Sequence, residues 1–343
     1  MGLKKFNNPS SQDLAQFSED QIIQLIRKTC GSKHSSVLCG MGDDAAVTKN
    51  GKPHLVFTTD ALQENIHFTW KTISPFYLGR KLLAVNLSDL AAMGAKPRWA
   101  LLSLAIPRNA PLLQFQEFLK GLQSSLKEYS VSLIGGDTDH SLMGWRVSMT
   151  LIGESSREVL RSKAQIGDDI WVTGHLGYSA LGFNLLSKRK ISLQKPGLQK
   201  FIRAHQNPTP RIKIGEFLNR SKMAHAMMDV SDGFLKDLGR LCRASRCGAL
   251  IEWKHFHLSS VFKKYCDELN LSPESLVLAG GEDYELIFTA SPQHETKILK
   301  AFQNQKLSVS KVGKIVERPK KAQVLDAEGK TLLLSTQGYS HFS

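Results

Sequence analysis

The order of apolar and polar residues along the chain alternates between two periods. "EDQIIQLIRKTC" (Glu19–Cys30) places its apolar residues at helical spacing and predicts a short helix behind a loose N-terminal arm. "HLVFTTDA" (His54–Ala61) reads as a strand that ends in a polar turn. "PFYLGRKLLAVNLSDLAAMGA" (Pro75–Ala95) opens on proline, continues in good helix formers and stops at Gly94 before Pro97, which predicts a helix. "RWALLSLAIP" predicts a buried strand stopped by Pro107, residues 112–129 a second helix, and "WRVSMTLIGES" (Trp145–Ser155) a further strand. The alternation recurs in the second half: "DDIWVTGHLG" runs as a strand into a glycine-rich turn, "HAMMDVSDGFLKDLGRLCRASRCG" as a strand into a helix, and "YELIFTAS" and "KVGKIVE" as strands. A polar stretch near Glu154–Lys163, rich in Arg and Ser, is the natural boundary. The expected organisation is an arm at 1–25, an N-terminal α/β domain at 26–155 and a C-terminal α/β domain at 156–343.

Composition narrows the class. With 343 residues, 41% hydrophobic and 22% charged, the chain is suited to two globular domains. The formal charge of +14 suits an anionic metabolite, an acidic surface or a nucleic acid, but the basic residues are dispersed, so nucleic acid is not expected. Five cysteines without a close CxxC pair fit a reducing compartment and no structural zinc site. The start lacks an apolar signal core, and no run approaches the roughly 18 to 20 charge-free apolar residues of a membrane span. A cytoplasmic protein without a membrane association is the expectation.

Carboxylates interrupt small or apolar residues in "GMGDDAAV", "FTTDALQENIHF", "AVNLSDLAAMGA", "LIGGDTDHS", "MMDVSDGFLKDLG" and "LAGGEDYELIF". Any one of these is explained by a strand-end turn, where Asp and Gly are favoured. Asp89 is not so easily explained, because an acid among apolar helix residues calls for a cation or a donor. Together the acids exceed what proton transfer needs, and like charges in one pocket require a neutralising ion. Hard divalent ions take oxygen ligands, which points to Mg²⁺ holding a polyphosphate. No GxxxxGK[ST] loop and no kinase-type glycine loop is present; "GGDTDH" and "TGHLGYSALG" offer backbone N–H groups to phosphate at turns. In "DVSDG", Ser231 or Asp232 could cap the following helix, whereas Asp229 is better placed to face a cleft. His67 is either a satisfied core group or a substrate contact, and Arg161 either a surface residue or a phosphate clamp.

These stretches, in this order, closely resemble the thiamine-monophosphate kinase family within the ATP-using superfamily of aminoimidazole-ribonucleotide synthetase. The specific segments are "AVNLSDLAAMGAKP" and "GGEDYEL", and the likeness runs from about residue 38 almost to the C-terminal "GYSHF". The resemblance implies a two-domain α/β fold whose N-terminal mixed sheet pairs across a homodimer. It implies ATP-dependent phosphorylation of thiamine phosphate with two or more Mg²⁺ ions, a monovalent cation being a further candidate. Asp43, Asp44, Thr58, Thr59, Asp60, Asp89, Asp137, Asp229 and Asp232 fall on metal-binding positions. Gly136, Asp137, Arg161 and Ser231 fall on nucleotide contacts, and His67, Glu282 and Tyr339 on contacts to the acceptor. Asp137, Arg161, Asp229 and Asp232 would carry the chemistry. The chain departs from the family at Asp139–His140, where Thr and Arg are usual, and at Tyr339, where Trp is common. The rival readings are another member of the superfamily, such as a selenophosphate synthetase-like enzyme, and a non-catalytic nucleotide-binding protein.

Overall fold

The structure is a computed structural model that describes residues 25–26, 28–31, 37–39, 47–48, 53–157, 159–188, 195, 197–319, 321–332 and 338. The chain divides into two compact units: residues 1–86 with 97–154, and residues 87–96 with 155–343.

In the first unit, residues 25, 26 and 28–30 are helical (α1). Strands β1 (Val37–Cys39) and β2 (Val47–Thr48) pair antiparallel. The main sheet has four strands in the order β3 (His54–Gln63), β6 (Arg146–Ser155), β4 (Lys96–Ile106) and β5 (Ser132–His140). β4 and β5 run parallel, with Ser103 opposite Asp137, and the crossover between them is α3 (Leu112–Glu128). The buried side of α3 carries Leu112, Phe115, Phe118, Leu119, Leu122 and Leu126, the one-sided stripe its sequence spacing predicts. Phe115 and Phe118 meet the buried Trp145 edge-on at 6.1 and 5.7 Å, and Trp70 meets it at 5.2 Å. This aromatic knot ties the β5–β6 connection to α3.

Helix α2 (Pro75–Ala92) differs from α3 in being buried almost all round, from Leu78 through Leu87 to Ala91. Its last residues, from Leu87 on, cluster with the second unit.

The second unit is built on a six-stranded mixed sheet in the order β12 (Ala322–Leu325), β9 (Gly248–Glu252), β11 (Val309–Val316), β7 (Asp169–Thr173), β10 (Leu286–Ala290) and β8 (Ala226–Asp229). All neighbours are antiparallel except β12 and β9. The central strands β7 and β10 are buried along their whole length, as their uninterrupted apolar runs require. Alternation sends Ile170 and Val172 into the main core, with α4 (Tyr178–Lys188), α5 (Gln199–Gln206), α7 (Phe234–Ser245), α8 (Ser260–Leu269) and α9 (Pro273–Ala279). Trp171 points the other way and stacks on Phe288, which stacks on Phe302 of α10 (Glu295–Asn304). The remaining helix, α6 (Ile212–Arg220), joins α5 to β8.

Among the described residues, no helix is long and apolar enough to cross a membrane. Cys30, Cys242, Cys247 and Cys266 are buried free thiols, and burial pushes Cys30, Cys242 and Cys266 up to about 12.

Candidate active site

On the first unit the predicted residues lie in strands, where the sequence suggests polar turns. Thr58, Thr59 and Asp60 sit inside β3, which continues to Gln63. Pairing with β6 holds these polar residues in extended backbone. Thr59 Oγ1 donates to the Met149 carbonyl at 3.2 Å, and Ser148 Oγ donates to the Asp60 carbonyl at 3.0 Å. Gly136 and Asp137 likewise sit inside β5, although "GGDTDH" suggests a turn. Gly136 is needed by contact: a Cβ there would lie 1.8 Å from the Leu102 carbonyl oxygen of β4. Asp137 is exposed, and the neighbouring Asp139 accepts the His140 N–H at 2.7 Å and lies 3.4 Å from the His140 ring. In the sheet order, β6 and β4 lie between β3 and β5.

His67 follows β3 in a turn, and its Nδ1 accepts the Gln63 N–H at 3.0 Å. In the neutral ring this places the proton on Nε2, so that nitrogen is a donor. Asp43, Asp44 and Tyr339 lie outside the described residues.

On the second unit, Asp229 ends β8 and is buried at 6% exposure. Ser88 Oγ of α2 donates to its Oδ2 at 2.7 Å, which places the half-buried Asp89 next in chain to a residue touching Asp229. Ser88 and Asp229 are brought together by the fold from positions 141 residues apart in sequence. Asp232 is held by Arg240 at 2.6 Å and Lys236 at 2.9 Å. Of the open alternatives for Ser231 and Asp232, capping does not occur: the cap position of α7 is Gly233, without a side-chain bond. Asp237, inside the helix and fully buried, does this work instead. Its Oδ2 accepts the N–H groups of Ser231, Asp232 and Gly233 at 3.0, 2.9 and 3.2 Å, and Arg240 donates to its Oδ1 at 2.8 Å. Those amides are therefore spent on a carboxylate within the protein. Burial raises the pKa of Asp237, while the amide bonds and Arg240 oppose the rise. Arg161 is exposed, and its carbonyl accepts Ser245 Oγ at 2.8 Å.

The segment "GGEDYEL" packs against this turn. Glu282 N–H donates to the Ser231 carbonyl at 2.7 Å, and Tyr284 N–H to the Val230 carbonyl at 2.8 Å. Glu282 and Tyr284 both adopt left-handed backbone, φ 65° and 52°, which costs roughly 1 to 3 kcal/mol each and needs compensation. Asp283 supplies part of it by accepting the N–H groups of Gly177 and Ser179, at the start of α4, at 2.7 and 3.1 Å. Burial pushes its carboxyl up to about 8 despite those bonds. Glu285 accepts Thr173 Oγ1 at 2.6 Å and both Nε and Nη2 of Arg211, at 2.6 and 2.5 Å. Gly174 makes room for it, since a Cβ would lie 1.9 Å from Glu285 Oε1. Glu282 meets the ring of His205, whose Nδ1 is 3.2 Å from its Oε2.

His205, Arg211, Asp237, Asp283 and Glu285 are thus site residues that the sequence pattern does not single out. The signal available was the density of acids in "GGEDYE" and the Asp five residues after Asp232. An open cavity of about 590 Å³ on this unit, beside His175, His255, His257 and Lys311, involves none of the predicted site residues.

An architecture of two α/β units with acids on and just beyond their strands defines the class, and sequence models agree. Residues 42–155 match the AIR synthase related protein N-terminal domain, and residues 165–326 the corresponding C-terminal domain. The thiamine-monophosphate kinase of Buchnera aphidicola subsp. Schizaphis graminum is 35% identical over 331 residues, covering 95% of this chain and 99% of the relative. The crystal structure of thiamine-monophosphate kinase from Stenotrophomonas maltophilia K279a superposes with a TM-score of 0.77 at 32% identity, covering 94% of this chain and 99% of that one. The structure of AaThiL complexed with AMPPCP and TMP gives a TM-score of 0.75 at 32% identity, covering 97% and 99%. The chain belongs to the thiamine-monophosphate kinase family.

Proposed function

We propose that the protein transfers the γ-phosphoryl group of ATP directly to thiamine phosphate, giving ADP and thiamine diphosphate. The observation that carries this reading is the likeness, over 97% of the chain, to a kinase solved with the ATP analogue AMPPCP and TMP. The acceptor is a phosphate oxygen that is already anionic near neutral pH, so no strong general base is needed. The protein's task is to align that oxygen with the γ-phosphorus and to offset charge on the moving group.

Magnesium is the proposed metal, and the donor chemistry fits it. The candidate ligands are carboxylate and hydroxyl oxygens. Among the described residues, no three His, Cys, Asp or Glu side chains are grouped to hold an ion. Magnesium takes such oxygen ligands, one or two carboxylates among them, and fills its shell with waters and phosphate oxygens. Asp89 and Asp229 would hold it on the second unit, with Asp232 nearby; Asp60 and Asp137 supply carboxylates on the first, with Asp44. When bound, Mg²⁺ offsets the charge of the triphosphate. Arg161 would steady the phosphates, and His67, Glu282 and Tyr339 would hold the acceptor. A homodimer is part of the same reading, supported by the edge strand β3 with Phe57 62% exposed on it.

Asp229→Asn tests the assignment. Turnover should fall at least about 100-fold, a loss of the size seen when one group that stabilises transition-state charge is removed. Full activity of this variant at ordinary Mg²⁺ would remove Asp229 from the machinery.

A further inference from the structure

The acids of "GGEDYE" divide their roles. Asp283 is committed to the amides that open α4, and Glu285 to Arg211 and Thr173. Glu282 differs, with a side chain 29% exposed. Its backbone is already fixed by its own N–H on Ser231 and by the N–H of Tyr284 on Val230. The loop therefore does not depend on the Glu282 side chain for its shape.

That side chain meets His205, in the last turn of α5. The imidazole is 4% exposed and packs at 5.3 Å from the ring of Phe183. Its Nδ1 lies 3.2 Å from Glu282 Oε2 and 3.3 Å from Ser179 Oγ. Because an ionised carboxylate only accepts, the nitrogen facing it carries the proton. Ser179 in turn gives its N–H to Asp283, so the ring is seated against the same helix start that anchors the loop.

We propose that His205 is a positioning residue for the acceptor: its Nδ1–H fixes the Glu282 carboxylate in the orientation that meets the cationic heteroaromatic part of thiamine phosphate. The proposal rests on the reading of Glu282 as an acceptor contact. Without the imidazole, a glutamate side chain regains rotamers that must be frozen again when the acceptor binds. The backbone bonds of Glu282 and Tyr284 do not involve the imidazole.

The test is steady-state kinetics in both substrates, with thermal unfolding, for His205→Ala, His205→Asn, Glu282→Gln and His205→Ala/Glu282→Gln. His205→Ala should raise KM for thiamine phosphate about tenfold, with KM for ATP and kcat within about twofold of the parent. His205→Asn, whose amide N–H can stand where Nδ1–H stood, should restore most of the difference. The double variant should be no worse than Glu282→Gln alone. An unchanged KM for thiamine phosphate in His205→Ala, while Glu282→Gln raises it, overturns the role of His205 and leaves that of Glu282 standing. Equal losses toward both substrates with a lowered Tm and no rescue by Asn would make His205 merely structural and also overturn the proposal. A parental KM in Glu282→Gln removes the acceptor contact itself, and the proposal with it. Absence of any turnover in the parent is a separate result, against the kinase reading.

Discussion

At the scale of single residues, the candidate site is governed by buried carboxylates whose partners are protein groups. Asp237 takes three consecutive amides, Asp283 takes two, and Glu285 takes an arginine fork and a hydroxyl. For Asp237 and Asp283 burial outweighs these bonds, and the Asp283 carboxyl is pushed up to about 8. The sign of the consequence follows from linkage. A carboxyl near 4 when unfolded and about 8 when folded binds its proton more tightly in the native state. It therefore contributes stability that is complete below about pH 4 and is lost as pH rises through about 8. Urea unfolding of parent and Asp283→Asn across pH 4 to 9 should show a flatter dependence in the variant, since its amide cannot ionise. Parallel curves would place the titration elsewhere.

These residues also mark where the sequence stops being informative. Asp229, Asp232 and Glu282 stand in glycine-rich acidic motifs that composition marks, and the family resemblance is what separates Glu282 from the other acids of its motif. Asp237 occupies an ordinary helix position, Arg211 a "TPRI" stretch and His205 a polar helix end. For His205 and Arg211 the importance comes from contacts 26 and 74 positions away in the chain, with Ser179 and Glu285, and for Asp237 from a turn of special shape just before its helix. No local period records such distances.

At the scale of elements, most of the strands and the two long helices of the first unit follow from periodicity. The helix predicted at Pro75–Ala95 is observed at Pro75–Ala92, and that predicted at 112–129 at Leu112–Glu128. The polar ends of β3 and β5 were harder to place, because "TTD" and "GGDTD" have turn composition while ladder pairing to β6 and β4 keeps them extended. The short strands β9 and β12 carry little pattern of their own and exist through their neighbours in the sheet. Gly136 gives this scale its test. Replacing it with alanine puts a methyl against the Leu102 carbonyl and must part β4 from β5. Gly136→Ala should lose about 1 to 3 kcal/mol of unfolding free energy, read as a lower urea midpoint. A parental midpoint would show that the two strands can part without cost.

At the scale of the whole molecule, two α/β units supply different parts of the proposed chemistry. The second carries the Asp89–Ser88–Asp229 neighbourhood and the Glu282 loop, the first the exposed acids of β3 and β5 and the donor His67. The charge of +14 suits attraction of two anionic substrates, ATP and thiamine phosphate. The central claim is the phosphoryl transfer itself. It is tested most directly by incubating the purified protein with ATP, Mg²⁺ and thiamine phosphate and measuring both products. ADP and thiamine diphosphate should form in equal amounts, with free thiamine a poor acceptor. ADP without thiamine diphosphate, or neither product, would contradict it.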